Sequence, residues 1–492
     1  MAQERLEEIR QVRLKKRQAL IDAGLPPYPA EVRRTHDINT INRDFEALEK
    51  AQSAVITAGR ISGLRRHGGL VFIDLKDASA TIQLQITRDQ VGEEVFAAAD
   101  VLDHGDWIQV TGTIIRTQRG VKTIQLSEFH MLSKSIRPLP DSWSGLKDHE
   151  TRYRHREADL WLNDEVRAVF IVRSRIIQWL RQYFVTQGYT EVETPVLQPL
   201  AGGAAAKPFT THHNALDMPL YLRIATELYL KRLLVGGFEK VFEIERRFRN
   251  EGLDRQHNPE FTMLESQWAY ADYEDLMDFT ENIFEALMKE IKENTTIEWQ
   301  GVSLSFAKPF KRLRYVDIVS EKLGVNILSD TNPETYISIL KKKKLPIPEI
   351  KTYAKLVDEL YKELIRPTLI QPTILYDYPI QMAPLAKANL TDPRIAEKFQ
   401  LIVHGLELVN AYTELNDPVE QRNVMETQQQ SRTAGDHEAQ AIDEEYLQAM
   451  EYGMPPNAGW GLGIDRLTML LTNQASIRDT ITFPLLKPED HD

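Results

Sequence analysis

The spacing of hydrophobic and polar positions changes several times along the chain, and each change marks a segment. Residues 2–23 are charged with scattered apolar positions and run to Gly24 and LPPYP, which predicts one helix with a stop signal behind it. Its second half carries Arg13, Lys15, Lys16 and Arg17. These cations either suit the negative end of the helix dipole in solvent or form a phosphate-contacting arm. From 54 to 134 the period falls to two in five runs: AVITAGRIS, GLVFIDLKD, ATIQLQITR, WIQVTGTII and KTIQLSEFHML. A helical piece, EEVFAAADVL, lies between the third and fourth. This order predicts a five-stranded oligonucleotide-binding β-barrel over 51–135, behind a helical arm over 1–50. A small barrel of other use would show the same pattern. Pro138 and Pro140 in SIRPLPDSWSGLKD mark a linker over 136–152.

From 153 to 492 the pattern is that of an α+β domain. Helical periodicity covers 164–187 and 272–295, and 310–365 is helix-rich, with KKKK at 341–344 reading as a solvated face. FQLIVHGLELVNAYTEL and the glycine-rich GWGLGI read as two late strands before a helix that starts near Asp465. Between them and the first helix, KVFEIERRFR and FTMLESQWAY predict a hairpin around 250. Side chains alternate faces along a strand. Phe242, Ile244 and Phe248 therefore share one face, and Glu243, Glu245, Arg247 and Arg249 the other. On the return strand Phe261, Met263, Glu265 and Gln267 fall together. One face of this hairpin is lined with arginine and glutamate, which no apolar core requires.

Composition narrows the classes. The 492 residues exceed one ordinary domain, and a hydrophobic share of 42% supports real cores. A net charge of −12 argues against an indiscriminate nucleic-acid coat. The absence of cysteine excludes disulfides, thiolate zinc sites and cysteine nucleophiles, and fits a reducing compartment. There is no run of 18 apolar residues, so no membrane span is expected, and Glu4, Glu7 and Glu8 do not suit a targeting peptide. The expectation is a soluble cytoplasmic protein.

The usual nucleotide cradles, a P-loop or a G-x-G-x-x-G before a helix, are missing. MLSKS at 131–135 matches half of a class I aminoacyl-tRNA synthetase signature but ends a barrel strand and lacks its partner, so it is chance. Other motifs agree with one another. RFRNEGLDRQHNPEFTMLE (247–265) resembles motif 2 of class II aminoacyl-tRNA synthetases, GYTEVETPVLQP (188–199) resembles motif 1, and GWGLGIDRL (459–467) resembles motif 3. Within the class, the chain is most similar to the lysyl enzymes, over nearly its whole length. AGGAAAKPFTTHHNALD, YLRIATELYLKRLLVGGFEKVFEI, HNPEFTMLE, NAYTELNDP and IRDTITFP carry that likeness. The aspartyl and asparaginyl enzymes share the domain order and stand as alternatives. A catalytically silent RNA-binding relative would keep the barrel and lose Arg249 or Arg466; both are present.

The resemblance implies ATP-dependent ligation of L-lysine to tRNA(Lys) through a lysyl-adenylate, by a homodimer. Arg249 and Arg466 would be catalytic, on the α- and γ-phosphates of ATP. Glu251 would meet the adenine amino group, His257 and Asn258 the far end of the nucleotide, and Phe261 and Arg466 the two faces of adenine. For lysine it implies Gly202, Glu227, Glu265, Gln267, Asn410, Tyr412 and Glu414, with Glu414 on the ε-ammonium, Glu227 on the α-amino group, and Gly203 beside Gly202 allowing close backbone approach. The charge pattern agrees: Glu265 and Glu414, two carboxylates without an evident cation, suit an ammonium group. In the barrel, Arg60, Phe72, Gln83 and Glu128 would meet the anticodon, although Phe72 could instead be core. Mg2+ would sit on Glu407 and Gln400. Here the sequence departs from the family it resembles, which usually has glutamate at both positions. Gln267 replaces a usual tyrosine, and READL at 156–160 lacks a common aromatic.

Overall fold

The period-two runs of the first half become β1 (Ala54–His67), β2 (Leu70–Lys76), β3 (Thr81–Thr87), β4 (Trp107–Arg116) and β5 (Lys122–Ser133) in the computed structural model. The structure describes residues 2–139, 148–433, 435–436 and 439–488. Pairing runs β1-β2-β3-β5-β4 and returns to β1, so the sheet closes into a barrel. Strict alternation does the work: Val71, Ile73 and Leu75 of β2 and Ile82, Leu84 and Ile86 of β3 point inward to the core. Gly112 is a glycine because β5 passes too close; a Cβ there would lie 2.3 Å from the Gln125 carbonyl oxygen.

The charged N-terminal run forms helix α1 (Ala2–Asp22). Of the four cations in its second half, Arg13 and Lys16 make polar contacts within this unit, which weakens the phosphate-arm reading. Arg13 is buried and donates to the carbonyls of Ser135 (3.1 Å) and His104 (3.0 Å). Lys16 pairs with Asp103 at 2.6 Å. Asp103 also meets the buried Lys134, which reaches Asp106 at 2.7 Å. Lys134 belongs to the MLSKS run, and its role there is structural.

The chain divides into two compact units, Met1–Asp148 and His149–Asp492. Of the linker expected over 136–152, residues 140–147 lie outside the described residues. The second unit is built on an eight-stranded sheet. Its strands are β6 (Thr190–Glu191), β7 (Lys240–Phe248), β8 (Glu260–Ala269), β9 (Lys311–Arg314), β10 (Thr373–Pro379), β11 (Ile395–Val403), β12 (Leu406–Thr413) and β13 (Asn457–Gly463). Their order is β9-β10-β11-β12-β13-β8-β7-β6, antiparallel except where the edge strands β9 and β6 join.

One face packs under α2 (Asp164–Thr186) and α4 (Tyr273–Lys292). The alternation read from the hairpin holds here: Phe242, Ile244 and Leu264 enter the core with Trp460 and Leu462. Asp272 fixes the start of α4, accepting from the amides of Glu274 and Asp275 while Asp275 caps back. Three further helices are α3 (Glu227–Val235), α5 (Glu444–Glu451) and α6 (Ile464–Leu471).

Two expectations are corrected. FQLIVHGLELVNAYTEL is a hairpin, β11 and β12, because His404 (φ +48°) and Gly405 (φ +72°) make a two-residue turn. The stretch 310–365 also supplies the edge strand β9 before its helices Tyr315–Leu323, Pro333–Lys343 and Tyr353–Leu364 form a core of their own. Lys341–Lys344 are exposed, as a solvated face should be.

Candidate active site

On the sheet face away from α4 lies a cavity of about 530 Å³. Its floor is a consequence of sequence alternation in β13. Trp460 and Leu462 go to the core, so Gly459, Gly461 and Gly463 present no side chain to the cavity. β8 lies beside it, with Glu265 opposite Gly461 and Gln267 opposite Gly459. β12 flanks the other side, with Asn410 opposite Gly461 and Tyr412 opposite Gly459. Glu407 would face the wrong way on a regular strand three residues from Asn410. A bulge between Leu401 and Ile402 pairs Ile402 with Glu407 and restores it to the cavity wall with Gln400.

At one end stand two guanidinium groups, those of Arg249 and Arg466. Arg249 follows β7; its Nε is buried without a hydrogen-bond partner, and its guanidinium lies 5.1 Å from the Phe261 ring centre. Burial pushes Arg249 down from the usual arginine value, against the pull of Glu251, Glu265 and Glu407. Arg466, on α6, donates to the Glu407 carbonyl (2.9 Å) and to His257 Nε2 (3.0 Å). His257 Nδ1 in turn donates to Asp254 (2.7 Å), a pair of contacts that assigns the neutral Nδ1–H tautomer. Burial lowers Arg466 too, with Glu407 the chief opposing charge. Asn258 donates to the Glu260 carbonyl at 2.6 Å and leaves its own oxygen buried and unpartnered. Glu251 lines the same end. Asp465, beside Arg466, accepts from the Thr262 amide and pairs with Arg173, which ties α6 to β8.

At the other end stand acids, and here the sequence reading needs correction: the carboxylates do have cations. Glu265 accepts from the Thr226 amide (2.8 Å) and hydroxyl (2.5 Å), and Arg247 lies 3.5 Å away. Burial would raise Glu265, but Arg247 and these hydrogen bonds hold it below the usual carboxylate range. Glu227 and Glu414 share a buried lysine, Lys231, at 2.6 Å and 2.5 Å. Tyr412 donates its hydroxyl to Glu227 (2.5 Å), and Gln267 donates its amide to Glu414 (2.7 Å). Burial pushes Glu414 up, and Lys231 pulls against it. A clue to Lys231 was present in TELYLK, since residues four apart on a helix share a face.

Three more placements bear on the expectations. Gly203, at φ +82°, is in the wall, whereas among the described residues Gly202 is not; a Cβ at Gly202 would meet Leu228 at 2.9 Å. Gln400 accepts from the Tyr378 hydroxyl at 2.8 Å and turns its amide nitrogen toward Asn410 at 3.4 Å. No side-chain contact of the Glu407 carboxylate with a donor occurs among the described residues. Lys398, also in the wall, was not anticipated; its ammonium lies over Tyr378 at 5.1 Å, and burial pushes it down. Where an aromatic is common, Arg156 in READL is buried on Asp159 at 2.8 Å.

In the other unit, β2 and β3 carry Phe72 and Gln83 on the outer side of the barrel, with Phe72 half-buried opposite Gln85 and Asp74 opposite Gln83. Phe72 lies outside the barrel core cluster. Gln83 accepts from the Thr123 hydroxyl (3.0 Å), and Arg60 donates to the Gly105 carbonyl (2.9 Å) beside Trp107. Glu128 is exposed on β5, 3.0 Å from His130.

Comparison with known proteins is consistent across both units. Residues 148–487 match the family described as tRNA synthetases class II (D, K and N), and residues 55–139 match the OB-fold nucleic acid binding domain. A lysine–tRNA ligase from Carboxydothermus hydrogenoformans is 46% identical over 490 residues, covering 100% of both chains. That of Pelotomaculum thermopropionicum is 45% identical, covering 99% of this chain and 96% of the relative. That of Thermosipho africanus is 43% identical, covering 98% and 97%.

Proposed function

The chain belongs to the lysine–tRNA ligases, class II synthetases of the group that serves aspartate, lysine and asparagine, and we propose that its cavity is where lysine and ATP react. The observation that carries this is the polarity of one wall. Two guanidinium groups, Arg249 with an unpartnered Nε and Arg466, stand at one end, and a cluster of buried carboxylates stands at the other. The ends suit phosphates and an amino acid's ammonium groups respectively.

In this reading the lysine carboxylate attacks the α-phosphorus of ATP, diphosphate leaves, and a lysyl-adenylate forms. A terminal hydroxyl of tRNA then attacks the carbonyl and AMP leaves. Arg249 meets the α-phosphate, where charge builds in the transition state; its unpartnered Nε supports that role. Phe261 and Arg466 take the two faces of adenine, Arg466 reaches the γ-phosphate, and Glu251 takes the adenine amino group. His257 is oriented by Asp254 toward Arg466 and, with Asn258, holds the far end of the nucleotide. Glu227, Glu265, Gln267, Asn410, Tyr412 and Glu414, with the Gly202–Gly203 backbone, surround lysine. With both ionised, Glu227 and Glu414 outnumber Lys231 by one charge. The pocket therefore remains anionic, which disfavours the side chain of aspartate.

For magnesium the donor set fits an ion that arrives with the nucleotide. Glu407 offers a carboxylate and Gln400 an amide oxygen already engaged by Tyr378. No group of three His, Cys, Asp or Glu able to hold a metal occurs among the described residues. Glu407 and Gln400 would share the ion with phosphates and water, as magnesium tolerates, and the ion would offset phosphate charge.

The barrel face bearing Arg60, Phe72, Gln83 and Glu128 is assigned to the anticodon of tRNA(Lys). The chain is also assigned a homodimeric state. Val196 and Leu197, on the segment resembling motif 1, and Ile171 and Val185, on the helix α2 that leads into it, are exposed apolar side chains. Among the described residues no helix is long and apolar enough to cross a membrane, and the cytoplasm is the compartment proposed. The reading is tested by charging. With ATP, lysine and tRNA the protein should produce acid-precipitable lysyl-tRNA, and aspartate or asparagine in place of lysine should give none. Charging with either of those instead would overturn it.

A further inference from the structure

One fully buried charge in the second unit is used by no step above. Lys231 lies on α3 one turn after Glu227, and its side chain has no exposure. Its ammonium touches carboxylates from two elements, Glu227 on its own helix and Glu414 just beyond β12. The rings of Tyr412 and Tyr446 flank it at 5.8 Å and 5.9 Å. The far oxygens of the same carboxylates are held by Tyr412 and Gln267. Each carboxylate is thus fixed from two sides, and among the described residues Lys231 is the one group that pairs with both.

With both ionised, two carboxylates around one lysine leave a surplus negative charge at this end of the cavity wall. A free lysine, with two ammonium groups and one carboxylate, carries a net charge of the opposite sign and equal size. Resting on the assignment of this end of the cavity to lysine, we propose that Lys231 is a positioning and specificity-determining residue. It clamps Glu227 and Glu414 into one rigid acceptor and trims their joint charge to match a single lysine. Without it, two carboxylates would repel one another and one would take up a proton, so that lysine would meet a weaker and less ordered acceptor. With Lys231 present but Glu414 neutralised, the sign of its effect reverses. Lys231 then cancels the charge of Glu227, no surplus negative charge is left to attract the incoming ε-ammonium, and removing Lys231 restores one.

That reversal is the test, because a purely structural lysine cannot produce it. Lysine-dependent ATP–diphosphate exchange is measured for the parent, Lys231→Met, Glu414→Gln and the double variant, with thermal unfolding as a check on folding. Lys231→Met alone should raise the KM for lysine by about tenfold or more while the KM for ATP stays within about twofold. Glu414→Gln should raise the lysine KM further. Adding Lys231→Met to Glu414→Gln should then lower the lysine KM by about threefold or more. A double variant as weak as Glu414→Gln, or weaker, overturns the proposal. If Lys231→Met alone does not fold, the comparison of Glu414→Gln with the double variant decides, since the double variant leaves no carboxylate pair without its cation. An absence of lysine-dependent exchange in the parent would overturn the assignment of the cavity itself.

Discussion

Replacing Gly459 by alanine should damage lysine use and spare ATP. An added Cβ would lie 2.2 Å from Glu414 Oε1 and 2.6 Å from Gln267 Nε2. To regain an ordinary contact of 3.4 Å, the Glu414 oxygen must retreat by about 1.2 Å. That displacement breaks the 2.7 Å hydrogen bond between Gln267 and Glu414, both of which are buried. A hydrogen bond to a charged group is worth about 1.5–3 kcal/mol, and the Gln267 amide has no other buried acceptor to turn to among its contacts. If the same carboxylate receives the ε-ammonium of lysine, the loss is felt directly in binding. It corresponds to a rise of about 10- to 150-fold in the lysine KM. With ATP assigned to the other end of the cavity, its KM should change by less than about twofold. The assay is ATP–diphosphate exchange at saturating ATP with lysine varied, then the converse, alongside circular dichroism to establish folding. A folded Gly459→Ala protein whose lysine KM stays within twofold of the parent would refute the placement of lysine at Glu414.

Gln400→Glu should lower the magnesium concentration for half-maximal exchange, because it restores a unit of negative charge beside Glu407, while Glu407→Gln should raise it strongly. An unchanged magnesium dependence in both variants would remove the metal from this hairpin. Phe72→Ala with Glu128→Ala should weaken tRNA charging by about tenfold while exchange stays within twofold, since base stacking is worth about 1–3 kcal/mol. Equal loss of both activities would make these residues structural. Sedimentation at micromolar concentration should give a dimer of the 56.7 kDa chain. A fully active monomer would reject the dimer and leave Ile171, Val185, Val196 and Leu197 unexplained.

Much of this arrangement is visible in the residues because alternation is a strong constraint. The hairpin around 250 has one apolar and one charged face, and G-x-G-x-G in β13 has apolar residues between its glycines. Either pattern fixes which face meets the core. Other features depend on long-range pairing. The bulge that turns Glu407 toward the cavity has no local marker, and neither does the edge strand β9, whose four residues KRLR form a strand only because β10 lies beside them. The missed turn at His404–Gly405 was legible, since glycine after a residue that tolerates positive φ is a hairpin signal. The missed cations have two sources. Lys231 was within reach of helical spacing from Glu227, while Arg247 was placed on the site face but not matched to Glu265. That match depends on the turn of side chains in the folded core. The basic half of α1 left two readings open for a related reason: whether Arg13 and Lys16 face solvent is decided by Ser135, His104 and Asp103, nearly a hundred residues or more away in the chain.

The central claim is that one cavity joins lysine to ATP with Arg249 on the reacting phosphate. It is tested most directly by lysine-dependent exchange of labelled diphosphate into ATP, comparing the parent with Arg249→Ala. The account predicts exchange in the parent with lysine and not with aspartate or asparagine. It also predicts that Arg249→Ala, still folded, loses about 10²–10³ of that rate, as removal of a preorganised charge partner does. Exchange by folded Arg249→Ala within about threefold of the parent would contradict it.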